Sequence, residues 1–309
     1  MNENLLMSPS PHIKNDNSTQ KIMLNVIIAT IPAIVASAIF FGLRALLVIL
    51  VTVLSCVTSE YLSRKIMKRD NTTSDLSAVV TGILLAFNLP VNIKFPIAIF
   101  GGIIAIVVTK QMFGGLGQNF VNPAICARII LMVSFPSAMS SWPVPYTRAI
   151  SSADMITSAT PLAKTATTHF SYLDLFLGNR PGCLGEVCAL ALILGGIYLI
   201  FKKVISPTIP LCFIGTVFVL TAILGKDPLF SILSGGLLLG AIFMATDYVT
   251  SPITFKGKII FAIGCGIITV LIRIYGSLPE GVSFSILLMN ILVPHIENLT
   301  LKKQKVVNN

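Results

Sequence analysis

Apolar residues fill this chain in long unbroken runs, cut by short polar stretches or by Gly and Pro. Ten runs are long enough to enter a bilayer, approximately residues 22–41, 44–62, 76–92, 95–110, 122–136, 184–201, 206–225, 228–247, 258–276 and 282–297. Continuous runs predict helices, whereas barrel strands alternate apolar and polar positions. Several runs fall short of the ~20 residues that a helix needs to cross the hydrocarbon. Short spans interrupted by Gly or Pro predict tilted, broken or half-buried helices.

Composition agrees. Of 309 residues 54% are hydrophobic and 11% charged, with mean hydropathy +0.88. Soluble domains carry about 25% charged residues, so this chain is an all-α integral membrane protein. The net charge of +10 does not signal nucleic acid, because the basic residues cluster between apolar runs, where loops meet anionic lipid. Residues 1–21 are polar and the first run then spans about 20 residues, which predicts a retained helix rather than a cleaved leader. With both termini inside, fourteen Lys and Arg fall in cytoplasmic segments and six in outer ones. That bias satisfies the positive-inside rule and puts the longest loop, 137–183, outside.

The halves resemble one another. "DLSAVVTGILLAFNLP" (75–90) opens the third run and "SILSGGLLLGAIFMATD" (231–247) forms the eighth, while "GGLGQNFVNPAICARI" and "GSLPEGVSFSILLMNI" lead into the fifth and tenth. Five helices per half require opposite insertion, the inverted-repeat architecture. The expected organisation is a cytoplasmic segment 1–21, a first five-helix repeat 22–136, an outer loop 137–183, a second repeat 184–297 and a cytoplasmic tail 298–309.

Within the outer loop, "DMITSATPLAKT" (Asp154 to Thr165) turns small and hydroxylated. Ser, Thr and Asp near Pro ordinarily make turns and caps. The stretch sets one hydroxyl, Thr160, behind the small Ser158 and Ala159 and ahead of Pro161, and on the plain reading Lys164 is a solvated loop charge and Asp154 a turn cap.

The order Asp154-x-x-Thr157-Ser158-Ala159-Thr160 resembles the flavinylation motif of the membrane subunits of two redox-driven ion pumps. "GGLGQNFVNPA" (114–124) and "MATDYVTSP" (244–252) are similar to the same family, and the likeness covers nearly the whole chain. The family comprises the D subunit of the Rnf complex and the B subunit of the sodium-pumping NADH:quinone reductase. The first helix begins by residue 22, without the longer N-terminal extension of the B subunit, so the D subunit fits better. The resemblance implies FMN bound covalently to Thr160 as a phosphoester, facing outward, and a non-covalent riboflavin in relatives. On that reading Thr160 supplies the acceptor hydroxyl, Ser158 and Ala159 permit close approach, Thr157 and backbone N–H groups suit phosphate oxygens, Lys164 and Arg148 are candidate counter-charges, and Asp154 caps a turn or binds Mg²⁺ during transfer by a flavin transferase. It also implies a bacterial inner membrane, electron transfer between ferredoxin and NAD⁺, and outward movement of Na⁺ or H⁺. The implied partners are the other Rnf-type subunits, among them an external covalent-FMN subunit and ion-translocating membrane subunits, with a flavin transferase for maturation. No nucleotide fold or Cys₄ iron–sulfur spacing is apparent, so electron entry belongs to partners. A flavin-free channel or secondary transporter would also suit an inverted repeat.

Asn119 and Asn122, among Gly114, Gly115 and Gly117, form an irregular segment ahead of a helix, which suits a second flavin, an ion entry or a packed re-entrant turn. Thr246 and Asp247 pair with it by pseudo-symmetry, as polar contacts or as a helix-end cap. Arg128, inside the fifth run, is expected to meet a carboxylate or flavin or to snorkel, and Arg273 to snorkel outward. His12, His169 and His295 are isolated, and no metal site is expected. Spans two to ten show no deep carboxylate, because Asp75, Asp247, Glu186 and Glu297 all lie near expected ends. Six cysteines lie mostly inside apolar runs as buried thiols.

Overall fold

The computed structural model describes residues 18–143, 145, 157–158, 171–276 and 281–301, with backbone alone at 157–158. Each of the ten apolar runs contains helix. The first two form a hairpin, α1 (Thr19–Phe41) and α2 (Leu43–Ile66). Then come α3 (Ser77–Phe87), α4 (Phe95–Ile103) continuing as a π-helical stretch (Ile104–Gln111), and α5 (Pro123–Ser134). A short α6 (Pro136–Met139) leads to β1 (Trp142–Pro143), which pairs antiparallel with β2 (Thr157–Ser158). Beyond it lie α7 (Tyr172–Leu177), α8 (Ala189–Phe201) and α9 (Thr208–Ile223). The eighth run is split into α10 (Pro228–Leu233), α11 (Leu237–Leu239) and a π-helical stretch (Gly240–Met244). The chain closes with α12 (Phe255–Tyr275) and α13 (Val282–Thr300).

Among the described residues, α1, α2, α12 and α13 are each long and apolar enough to cross a membrane. At ~1.5 Å per residue, the 23 residues of α1 reach about 34 Å. Its exposed residues Leu24, Ile28, Ile31, Val35 and Ile39 form one apolar stripe, while Ala29, Ala33 and Ser37 face inward. A soluble protein would bury such a stripe; in a bilayer it faces lipid or another membrane subunit. This is an all-α, multi-pass membrane protein.

The second helix of each half packs on the third and fourth of that half: α2 on α3 and α4, α9 on α10 and α12. The halves meet first to first and fifth to fifth, α1 on α8 and α5 on α13.

Three spans are shorter than the runs that encode them. α3 has 11 residues, about 16 Å, half of the ~30 Å core. The chain beyond it is not helical, and Arg44 holds it by donating to the carbonyls of Val91 (3.0 Å) and Ile93 (3.1 Å). α8 starts at Ala189 rather than near 184. The residues before it tuck against α3, with Leu184 N–H on Leu89 O (3.1 Å) and Gly185 N–H on Phe87 O (3.0 Å). The eighth run breaks at Ser234–Gly236, with Gly235 at φ +67°. Arg273 turns inward to this break instead of snorkelling, donating to the carbonyls of Ser231 (2.6 Å) and Ser234 (3.2 Å). The helix break frees these carbonyls from intrahelical bonds, and they give the guanidinium acceptors within reach.

Candidate functional site

The breaks create two buried polar centres. The first lies where α1, α3, the N-terminus of α5 and residues 245–249 meet, around a cavity of about 360 Å³. Val26, Leu84 and Phe243 supply apolar wall, and Asn119, Asn122, Thr246 and Asp247 supply polar wall. Tertiary structure thus brings together the four residues expected from two distant sequence segments. The size sits at the lower end of small-molecule sites, ~300–1,000 Å³.

Local chemistry explains each position. Asn122 caps α5, its Oδ1 accepting from the N–H groups of Ala124 (3.0 Å) and Ile125 (3.3 Å). Its Nδ2 donates to Met244 O at 3.3 Å, so one side chain ties the α5 cap to the end of the π-helical stretch. Asn290 of α13, with its oxygen toward Asn122 N–H (3.1 Å) and its nitrogen toward Thr250 O (3.0 Å), completes that tie. Asn119 donates to Val121 O (3.1 Å) and holds the loop bend. The loop needs glycine: Gly115 sits at φ +110°, and a Cβ there would lie 2.5 Å from an Arg64 guanidinium nitrogen. Thr246 donates to Ile242 O (2.6 Å), and Asp247 accepts from Val249 N–H (3.4 Å) and the Thr250 hydroxyl (3.1 Å). Asp247 therefore both caps a turn and lines the cavity.

Lys110 and Ser77 also line this cavity. Lys110, the last residue of the fourth run, is 2% exposed and ion-paired with Glu60, itself 0% exposed, at 2.8 Å. Its ammonium also donates to Ser77 Oγ (2.6 Å), and Gln111 Nε2 joins Lys110 on Glu60 Oε1 (2.9 Å). Glu60 corrects the expectation of no deep carboxylate. It lies inside the second run, near its end, and is not among the four carboxylates named from the sequence.

The second centre joins the end of α3 to the segment before α8. Arg128, 3% exposed, donates to Asn88 Oδ1, and its guanidinium lies 3.8 Å from Cys183 Sγ. It does not snorkel; it is anchored between helices. Cys183 N–H donates to Glu186 Oε1 (3.0 Å), and buried Arg180 donates to the carbonyls of Glu186 (2.6 Å) and Val187 (3.3 Å). Arg128 of the fifth run, Asn88 of the third and Cys183 just ahead of the sixth meet only in the fold.

Asp154, Ala159, Thr160 and Lys164 lie outside the described residues. Thr157 and Ser158 form β2, in register with Pro143 and Trp142. Asn92 Nδ2 donates to Ser141 Oγ (2.5 Å), fastening the approach to β1 onto the α3–α4 connection.

The model of the NQR2, RnfD, RnfE family matches residues 6–305. The chain is 50% identical over 307 residues to the D subunit of the Na(+)-translocating ferredoxin:NAD(+) oxidoreductase complex of Acetobacterium woodii, covering 97% of this chain and 95% of that relative. It is 44% identical to the D subunit of the proton-translocating ferredoxin:NAD(+) oxidoreductase complex of Clostridium ljungdahlii, covering 95% and 94%. It is 34% identical to the D subunit of an ion-translocating oxidoreductase complex of Escherichia coli, covering 95% and 96%. On both the family model and these relatives, the chain belongs to the NQR2, RnfD, RnfE family.

Proposed function

We propose that this chain is the D-type membrane subunit of an ion-pumping ferredoxin:NAD⁺ oxidoreductase complex. It carries FMN as a phosphoester on Thr160 and a neutral flavin, riboflavin, in the cavity of Asn119, Asn122, Thr246 and Asp247. The names of the relatives support the complex. The cavity supports the second flavin and is the observation that carries the reading. Its apolar walls suit a flat ring, and its amide and hydroxyl groups suit a ribityl chain. Asp247 on the wall opposes a phosphate, so the lining favours riboflavin over FMN.

A bound flavin supplies electron transfer; the chain holds and orients it and excludes water. Both termini face the cytoplasm and the 137–183 loop faces outward, which sets the covalent FMN and the cavity on opposite sides. The correspondence of packing between halves supports the inverted repeat. Partner subunits complete the ion path and the electron entry.

The test is direct. Denatured protein from cells with an active flavin transferase is run on a gel and viewed under ultraviolet light. The band is expected to fluoresce and Thr160→Val to be dark. A dark wild-type band refutes the covalent site. Acid extraction of the intact complex is expected to release riboflavin, lost when Thr246→Trp fills the cavity. Undiminished riboflavin in that variant refutes the cavity assignment.

A further inference from the structure

Lys110 and Glu60 form a buried ion pair at the wall of a cavity. A pair of buried charges is often no more stable than apolar residues of equal volume, because desolvation offsets attraction. This pair is moreover incompletely satisfied: Glu60 Oε2 is buried without a hydrogen-bond partner among the described residues. Lys110 and Gln111 belong to the π-helical stretch Ile104–Gln111, and both bond the same Glu60 oxygen. π-helical turns recur at functional sites. The ammonium is fixed by Glu60 on one side and Ser77 Oγ on the other, and Ser77 Oγ is itself bonded to Asp75 Oδ1 at 2.5 Å. A cation so placed in a low-dielectric wall acts strongly on any charge that appears in the cavity.

We propose that Lys110 sets the reduction potential of the flavin in this cavity, and that Glu60 is the positioning residue that holds and moderates its charge. The inference rests on the riboflavin reading above. One electron from a low-potential donor enters the ring, no covalent bond forms or breaks, and the ammonium keeps its proton. The ring gains a negative charge, which Lys110 favours and Glu60 opposes. The two side chains therefore act with opposite sign, although both belong to one structural pair.

The test uses the intact purified complex. Its extractable riboflavin is first counted. Its non-covalent flavin is then titrated with dithionite through one-electron mediators and followed by absorbance. Lys110→Met is expected to weaken the preference for the reduced ring about tenfold, a fall of ~59 mV for one electron. Glu60→Gln is expected to raise the potential, and Lys110→Arg, which keeps the charge, to leave it near wild type. Shifts of the same sign in Lys110→Met and Glu60→Gln, or no shift in either, overturn the proposal. If Lys110→Met does not assemble, the rise in Glu60→Gln decides. Absence of riboflavin from the wild-type complex overturns the cavity reading itself, and is seen before any titration.

Discussion

Asn122→Ala cuts two ties at once. The first is the α5 cap to Ala124 and Ile125 N–H. Losing an Asn cap costs about 1 kcal/mol. The second is the bond to Met244 O. A buried carbonyl left without its donor costs about 1–3 kcal/mol. The sum, ~2–4 kcal/mol, is a roughly 30- to 700-fold rise in local opening at tenfold per 1.4 kcal/mol. Asn122→Ser separates the terms, since its hydroxyl caps but cannot reach Met244. Hydrogen exchange on the intact complex reads both. In Asn122→Ala, the amides of Ala124 and Ile125 are expected to exchange faster by the share of the cap alone, roughly fivefold at about 1 kcal/mol. In Asn122→Ser they stay near wild type, while residues 245–249 loosen in both variants. Equal exchange at Ala124 and Ile125 in the two variants, or no change in Asn122→Ala, would refute the double role of Asn122.

Gly185→Ala would drive a Cβ into the Phe87 side chain, well inside contact distance; overpacking of this kind costs about 1–3 kcal/mol, so melting of the complex falls, and Phe87→Ala added to it restores part of the loss. At the exposed rim, the Tyr172 hydroxyl donates to the Asp227 carboxylate, which also caps α10. The Tyr172 bond, ahead of the backbone bonds from Phe230 and Leu229, holds the Asp227 carboxyl below its usual range. A depressed carboxylate contributes stability above its ordinary ~3.9 and loses it as pH falls through the folded value. Tyr172→Phe is therefore expected to raise the Asp227 pKa, read by carbon-13 carboxyl titration; an unchanged value refutes the bond. The same bond raises the Tyr172 phenol, so its contribution is present below ~10 and lost as pH rises through the folded value.

Hydrophobic runs determined the class and helix order, because crossing a bilayer requires continuous apolar helix and little else. α1, α2, α12 and α13 lie within a few residues of the runs that encode them. The proposal for Thr160 is likewise a sequence reading, carried by the local order Asp154-x-x-Thr157-Ser158-Ala159-Thr160, and Thr160 lies outside the described residues. The tertiary structure decided the rest. Apolar runs do not mark where a helix stops inside the membrane, so the ends of α3 and α8 and the break after α10 appeared only with their partners Arg44, Phe87 and Arg273. Glu60 and Lys110 are 50 residues apart, each close to the end of its apolar run, and nothing local in the sequence pairs them. Only packing of α2 against the π-helical stretch removed both from water and set Lys110 at the wall of the cavity of Asn119, Asn122, Thr246 and Asp247. Burial and convergence are properties of the packed bundle, and hydropathy along one chain carries neither.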